Sequence, residues 1–143
     1  MSLTQQQYVV HKYVDDNWPA DRFGPMIFGN HDEVTAAPGI AYASLTIVPN
    51  EGARTRNSIG APKMIRNRGF LFFTIYAPKN RGTKLQTEAI DFLTELLDEK
   101  VLPMPNGQRL VCGISAPQTL GLKDNLYRMT LQVPYHRDEW PQN

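Results

Sequence analysis

The residues of this chain that could do chemistry are three histidines and one cysteine. His11, His31 and His136 lie far apart in the sequence, and no pair of them has a spacing typical of a shared metal ion. The run His31-Asp32-Glu33 is the densest group of possible ligands, but three adjacent loop residues rarely converge on one ion. We therefore predict structural roles for the histidines and no metal site.

The cysteine gives no stronger indication of catalysis. Cys112 stands alone, which excludes an intramolecular disulfide and a multi-cysteine zinc site. It lies in the apolar stretch from Arg109 to Ser115, where a buried thiol is usually an inert small hydrophobe. The nucleophile elbow Gly-x-Ser-x-Gly, the phosphate loop Gly-x-x-x-x-Gly-Lys-Ser/Thr and the dinucleotide turn Gly-x-Gly-x-x-Gly are all missing from the sequence. We expect a protein that is not an enzyme and has no cofactor.

The charge of the chain is distributed unevenly. Its formal net charge is only +1, yet the stretch from Gly52 to Thr87 contains eight basic residues and no acidic one. The rest of the chain contains the other seven basic residues and all 14 acidic residues, so it carries a formal charge of −7. A stretch without carboxylates predicts an anionic surface opposite it, and the nearest such surface is the acidic helix of a second copy. The predicted docking residues are Arg54, Arg56, Lys63, Arg66, Arg68, Lys79 and Arg81.

Two amphipathic helices are predicted in a single domain spanning residues 1–143, since 143 residues with 41% hydrophobic content suit one core. Apolar residues spaced by three and four predict a first helix from about Gln5, which Asn17-Trp18-Pro19 should end. Thr83 and Gln86 form a possible capping box for a second helix, whose outer face carries five acidic residues.

About four strands are predicted as well. They cover Ile40 to Val48, Phe70 to Ala77, Arg109 to Ser115 and Leu126 to Val133, with a further short strand possible between Gly24 and Gly29. Gly52 to Arg68 is predicted to be a long basic loop, and Asn106-Gly107 a plain turn, because a strand before it would include Pro103 and Pro105. The pattern favours an α+β fold, with a mostly antiparallel four-stranded sheet and two helices packed on one side.

The aromatic strand leaves two functional interpretations open. Phe70, Phe72 and Phe73 near Arg66 and Arg68 could form a base-stacking platform for single-stranded nucleic acid. Core packing explains the same run, because alternate strand residues must enter the core. We favour a central strand buried on both faces.

The order of elements resembles the tail terminator (tail completion) family of long-tailed bacteriophages and prophages. The resemblance rests on Arg66-Asn-Arg68-Gly69, the aromatic strand ending Ala77-Pro78, Gly82-Thr83 at the helix start and the closing Val133-Pro-Tyr-His-Arg-Asp138. Together these segments cover about half of the chain, and none is a catalytic signature.

The resemblance implies a subunit of a six-membered ring that caps the head-proximal end of the tail tube, stops tube growth and provides the head-joining surface. The implied partners are other copies of the chain, the tail tube protein and a head-completion or neck protein, with DNA only passing through the lumen. Its implied location is the virion tail, with the host cytoplasm during assembly. We expect no membrane association, because no signal peptide and no apolar run of spanning length is recognisable. The alternatives are a head–tail connector or minor tail protein and, from another class, a small nucleic-acid-binding module.

Overall fold

The computed structural model describes residues 3–28, 41–56, 65–78, 84–105, 108–123 and 126–139. Across those ranges the chain forms three helices and seven strands. The helices are α1 (Leu3–Asn17), α2 (Ala20–Phe23) and α3 (Lys84–Leu97). The strands are β1 (Met26–Phe28), β2 (Tyr42–Arg56), β3 (Ile65–Pro78), β4 (Val101–Pro103), β5 (Arg109–Cys112), β6 (Ala116–Lys123) and β7 (Leu126–Glu139).

The strands form one curled sheet, a mixed half-barrel. Their order is β1-β2-β3-β7-β5-β4. β6 is not part of this linear order, and it pairs with β7. β1 runs parallel to β2, whereas the other pairings are antiparallel. The predicted antiparallel sheet of about four strands with two helices is therefore wrong.

The strands that the sequence did not reveal lie at edges of the sheet. β6 contains Pro117 and Gly121, and its pairing with β7 shifts register between Thr119 and Gly121. β4 contains Pro103, yet it pairs with β5 across the segment predicted to be a plain turn. Proline and glycine weaken a central strand, but an edge strand and a bulge tolerate them. The proline and glycine residues are therefore the reason that the sequence did not predict these edge strands.

The predicted loop from Gly52 to Arg68 is also partly strand. β2 continues past Pro49 to Arg56, and β3 begins at Ile65, so both arms of the connection belong to the sheet. The two strands keep register up to Asn50 and resume it at Thr55, with an irregularity between them. Residues 57–64 lie outside the described ranges.

The core lies between the helices and one face of the sheet. β3 alternates strictly, with Leu71, Phe73 and Ile75 fully buried and their neighbours half-buried. These residues join helix residues such as Leu93 and Val10 in one buried cluster. Each fully buried side chain of this kind contributes about 1.5–3 kcal/mol of transfer free energy. We call this side of the sheet the helix-covered face.

The opposite side carries the remaining residues of the alternation and is called the uncovered face. Phe70, Phe72, Thr74 and Tyr76 of β3 lie on it, and none of them belongs to the buried cluster. β3 is central, between β2 and β7, as predicted. The prediction that it is buried on both faces is wrong, because the described helices pack against one face only.

An aromatic corner connects α1 to the sheet. Trp18 Nε1 donates a hydrogen bond to the carbonyl of Gly24 at 2.8 Å, and the Trp18 ring packs against Phe23 and Phe92. Gly24 has a φ of 86°, and a Cβ there would lie 1.8 Å from the carbonyl oxygen of Ala41. Only glycine fits this turn, which follows the helix end predicted at Asn17-Trp18-Pro19.

Candidate functional site

Two of the seven predicted docking residues have described side chains. Arg66 and Arg68 lie two positions apart on β3, on the uncovered face. Arg54 and Arg56 belong to the last part of β2, but their side chains are outside the described set. Lys63, Lys79 and Arg81 fall entirely outside the described residues.

Arg66 forms a two-pronged ion pair with Asp138 of β7. Its Nε donates to Oδ1 at 2.8 Å and its Nη2 donates to Oδ2 at 3.0 Å, which is the geometry of strong arginine–carboxylate recognition. The hydrogen bonds from Arg66 lower the pKa of Asp138, while burial opposes this shift. Arg66 is thus held within its own chain. Arg68 lies on the same face, and its side chain is exposed.

Two segments that carry the family resemblance are cross-strand neighbours. Arg66 pairs with Asp138 in the β3–β7 ladder, and Gly69 pairs with Tyr135. A Cβ at Gly69 would lie 2.5 Å from the hydroxyl oxygen of Tyr135 and 2.6 Å from the carbonyl oxygen of Val48. The glycine therefore makes room for the tyrosine, and the Arg-x-x-Gly segment and the closing segment form one structural unit.

A buried polar network lies beneath this unit on the helix-covered face. Gln6 of α1 donates through Nε2 to the hydroxyl oxygen of Tyr135 at 2.8 Å. Gln6 Oε1 accepts from Nε of Arg137 at 2.9 Å, and Nη1 of Arg137 contacts Gln108 Oε1 at 3.4 Å. Gln6 is fully buried and Arg137 is 2% exposed. The network ties α1 to β7 and fixes the orientation of the closing segment.

Sequence reasoning missed this network because β7 was predicted to stop at Val133. The alternation of buried and half-buried residues in fact continues through Pro134 as far as Asp138. Tyr135 and Arg137 point into the core, whereas His136 and Asp138 share the uncovered face with Arg66. The sequence signal for the longer strand was the alternation that continues past Val133. Pro134 made the strand look as if it ended there.

The uncovered face is rich in aromatic side chains. The rings of Phe70 and Phe72 lie 6.1 Å apart, and Tyr42 and Tyr76 stack at 4.4 Å with their planes 11° apart. Val48 beside Phe70 is 39% exposed. A sheet face of this composition resembles a core surface more than a solvent-facing one.

The charges on the uncovered face are mainly positive. Arg68 and Arg128 lie on it with Arg66, and Asp138 is the one carboxylate on this face whose side chain is described. The Nε atom of Arg128 is buried and has no hydrogen-bond partner among the described residues. A buried donor without an acceptor costs about 1–3 kcal/mol, and because its own chain encloses this atom, an external acceptor does not reach it as it is placed.

The outer side of α3 carries the opposite charge. Asp91 and Glu95 are exposed along it, and Glu99 is exposed just beyond its end, so the three are spaced by four residues. Glu88, one turn before Asp91, contacts Nη2 of Arg22 at 2.9 Å and Nζ of Lys84 at 4.0 Å. Because α3 packs against the helix-covered face, this acidic surface and the basic aromatic face lie on opposite sides of the sheet.

The potentially reactive residues were predicted to have no metal-binding or catalytic role. His31-Asp32-Glu33 falls outside it, and the described residues contain no cluster of three His, Cys, Asp or Glu side chains able to hold a metal ion. Burial raises the pKa of the Cys112 thiol to about 12, so the nucleophilic thiolate is essentially absent at neutral pH. The His11 ring packs against Phe28 at 4.8 Å. No described helix is both long and apolar enough to span a bilayer.

Comparison with known proteins adds information on the fold. No protein-family model matches the chain, and no curated protein matches it. A solved structure without a functional name matches with a TM-score of 0.72 and 17% sequence identity, and the match covers 99% of each chain. At this identity the similarity shows a shared fold, which extends over nearly the whole length of both chains.

Proposed function

We propose that this chain is a non-enzymatic structural subunit that assembles into a ring, and specifically a phage tail terminator. The ring would cap the head-proximal end of the tail tube, stop its growth and present a surface to the head-completion or neck protein. The observation that carries the proposal is the two-sidedness of the subunit. A basic aromatic sheet face lies on one side and an acidic helix on the other.

A two-sided subunit suits a head-to-tail ring. In such a ring each copy presents one surface to the copy ahead and a different surface to the copy behind. Opposite charges on the two surfaces fix the order and orientation of the copies. The proposal is supported further by the family resemblance, because its Arg66 to Gly69 and Tyr135 to Asp138 segments form one cross-strand unit.

Termination needs no chemical step. The subunit must imitate a tube subunit on the ring face that meets the tail, and it must deny a further tube ring a docking surface on the other. Specificity then comes from unfavourable contacts with the wrong partner as well as favourable ones with the right partner.

The test is assembly of phage particles with altered subunits. Particles that lack this protein should show tails of uncontrolled length or heads without tails in electron micrographs. The variant Arg68→Glu, at an exposed position on the uncovered face, should remain folded and fail to restore defined tails. The control Lys12→Glu makes the same change of charge at an exposed position on α1 and should restore them. Tails of normal length without the protein would refute the proposal.

A nucleic-acid-binding module is the second candidate, because Phe70 and Phe72 lie on the uncovered face near Arg68. Such a module would bind single-stranded oligonucleotides with an affinity that falls steeply as salt rises. Fluorescence anisotropy with a labelled oligonucleotide at low salt distinguishes the two. Failure to bind there excludes the module.

A further inference from the structure

We infer that the uncovered face of one copy receives the acidic outer side of α3 from a second copy. This inference rests on the proposed ring and identifies the two surfaces that meet in it. It names the uncovered face around Phe72 and Arg128 as the receiving surface, in addition to the basic residues predicted from the sequence.

The uncovered face requires a cover for hydrophobic reasons. Phe70 and Phe72 are large apolar side chains in the middle of the sheet, and no described helix of the same chain packs on them. Domains are stabilised when both apolar faces of a sheet are covered by further layers. A helix from a second copy would supply the missing layer.

The charges identify that helix. Arg68 and Arg128 lie on the uncovered face and give it a positive charge. The exposed carboxylates of Asp91, Glu95 and Glu99 form a row along α3 and just past its end. A carboxylate from this row would form an ion pair with the cations of the uncovered face.

The dimensions of the two surfaces are compatible. Arg68 and the cross-strand partner of Arg128, Tyr76, are eight residues apart on β3, which corresponds to about 26 Å at the usual rise of a strand. The acidic row from Asp91 to Glu99 covers eight residue steps, which is about 12 Å at the usual rise of a helix. The row is therefore shorter than the face and fits within its length.

The contact cannot form within one chain. α3 packs against the helix-covered face, so its acidic side points away from the uncovered face of its own sheet. Because the two surfaces differ, each copy can receive one neighbour and dock onto another. This arrangement is heterologous, and it generates a ring when the rotation between copies closes.

Disulfide trapping between two variants that each carry one introduced cysteine tests the contact. Thr74→Cys places a thiol on the uncovered face, between Phe72 and Tyr76, and Glu95→Cys places one on the acidic side of α3. Each introduced thiol is carried by a different variant, so any disulfide between Cys at position 74 and Cys at position 95 joins two molecules. The native Cys112 is 1% exposed with a raised pKa and will not compete.

Equimolar mixing of the full-length variants under mild oxidation should give mainly the Thr74→Cys/Glu95→Cys heterodimer on a non-reducing gel. We expect about ten times less of it when the Thr74→Cys partner also carries Arg128→Glu. Adding the charge reversal Asp91→Lys to the Glu95→Cys partner should restore the yield. The control Lys12→Cys, exposed on α1, should trap little with either variant.

Three results would overturn the inference. They are a yield no higher than that of the Lys12→Cys control, a dominant Thr74→Cys homodimer, and a yield insensitive to Arg128→Glu. The proposed function is judged separately, by tail length in particles without the protein. Defined rings and tails together with failed trapping would place the subunit contact elsewhere, whereas normal tails without the protein would refute the function itself.

Discussion

Gly69 is the position where a single methyl group should damage the candidate site most. In Gly69→Ala the new Cβ would lie 2.5 Å from the Tyr135 hydroxyl oxygen, 2.6 Å from its Cζ and 2.6 Å from the carbonyl oxygen of Val48. Tyr135 is 4% exposed and its hydroxyl accepts a hydrogen bond from the buried Gln6, so it has no free space to move into. The Val48 oxygen belongs to the backbone of β2, which pairs with β3 at this level.

The expected cost follows from these contacts. Forcing a methyl group into a packed interior costs about 1–3 kcal/mol, and losing a buried hydrogen bond such as that from Gln6 to Tyr135 costs about 1 kcal/mol. We therefore expect Gly69→Ala to lower the free energy of unfolding by about 2–4 kcal/mol.

Urea denaturation followed by circular dichroism measures this change, provided that the m-value stays constant. Gly113→Ala is a matched control, because the closest atom to its Cβ would be the flexible ring carbon Cγ of Pro134, at 3.1 Å. It should cost clearly less than Gly69→Ala. The costs of Gly69→Ala and Gln6→Met should also be less than additive, since both remove the same hydrogen bond. A change below about 0.5 kcal/mol in Gly69→Ala would refute the packing argument.

Three further outcomes concern titratable groups. Hydrogen bonds from Arg66 lower the pKa of Asp138 in the folded protein. The ion pair therefore stabilises the fold at pH values above the pKa that Asp138 has in the unfolded chain. This stabilisation is lost as the pH falls through the lower pKa of Asp138 in the folded protein. Asp138→Asn should remove up to about 1 kcal/mol at pH 7 and nothing at low pH in urea denaturation, because the pair is about a quarter exposed. Burial, Arg66 and Arg68 lower the pKa of His136, so its NMR titration midpoint should lie below the ordinary histidine value of 6.5 and rise in Arg68→Gln. Cys112 should react with a thiol reagent only on unfolding, since its pKa is raised to about 12, and rapid reaction in the native state would contradict its burial.

Local patterns predicted the parts of the fold whose sequence and packing agree. The apolar spacing of α1 and α3 identified both helices, because burial of one helix side imposes that period. The residues of β3 identified a central strand, since β-branched and aromatic side chains fit a half-buried pleated surface. The edge strands β4 and β6 were not predicted, because Pro103 and Pro117 argue against a central strand but are acceptable wherever a strand has an unpaired side.

The candidate site was predictable only in part for a related reason. The sequence shows that Arg66 and Arg68 are basic, but the partner of Arg66 lies 72 residues away and becomes visible only in the β3–β7 register. The orientation of Phe70 and Phe72 away from the core was likewise invisible, because alternation does not say whether helices cover one face of a sheet or two.

The sequence by itself determined the amphipathic helices, the central strand and the segregation of charge along the chain. These features are local, since each depends on residue types a few positions apart. The tertiary structure decided that the sheet has seven strands, that Arg66 is bound to Asp138, and that Arg128 and the aromatic residues share a face which the described helices leave uncovered. Those features depend on strand register and on the side chosen by each helix, and both are set by contacts between residues distant in sequence.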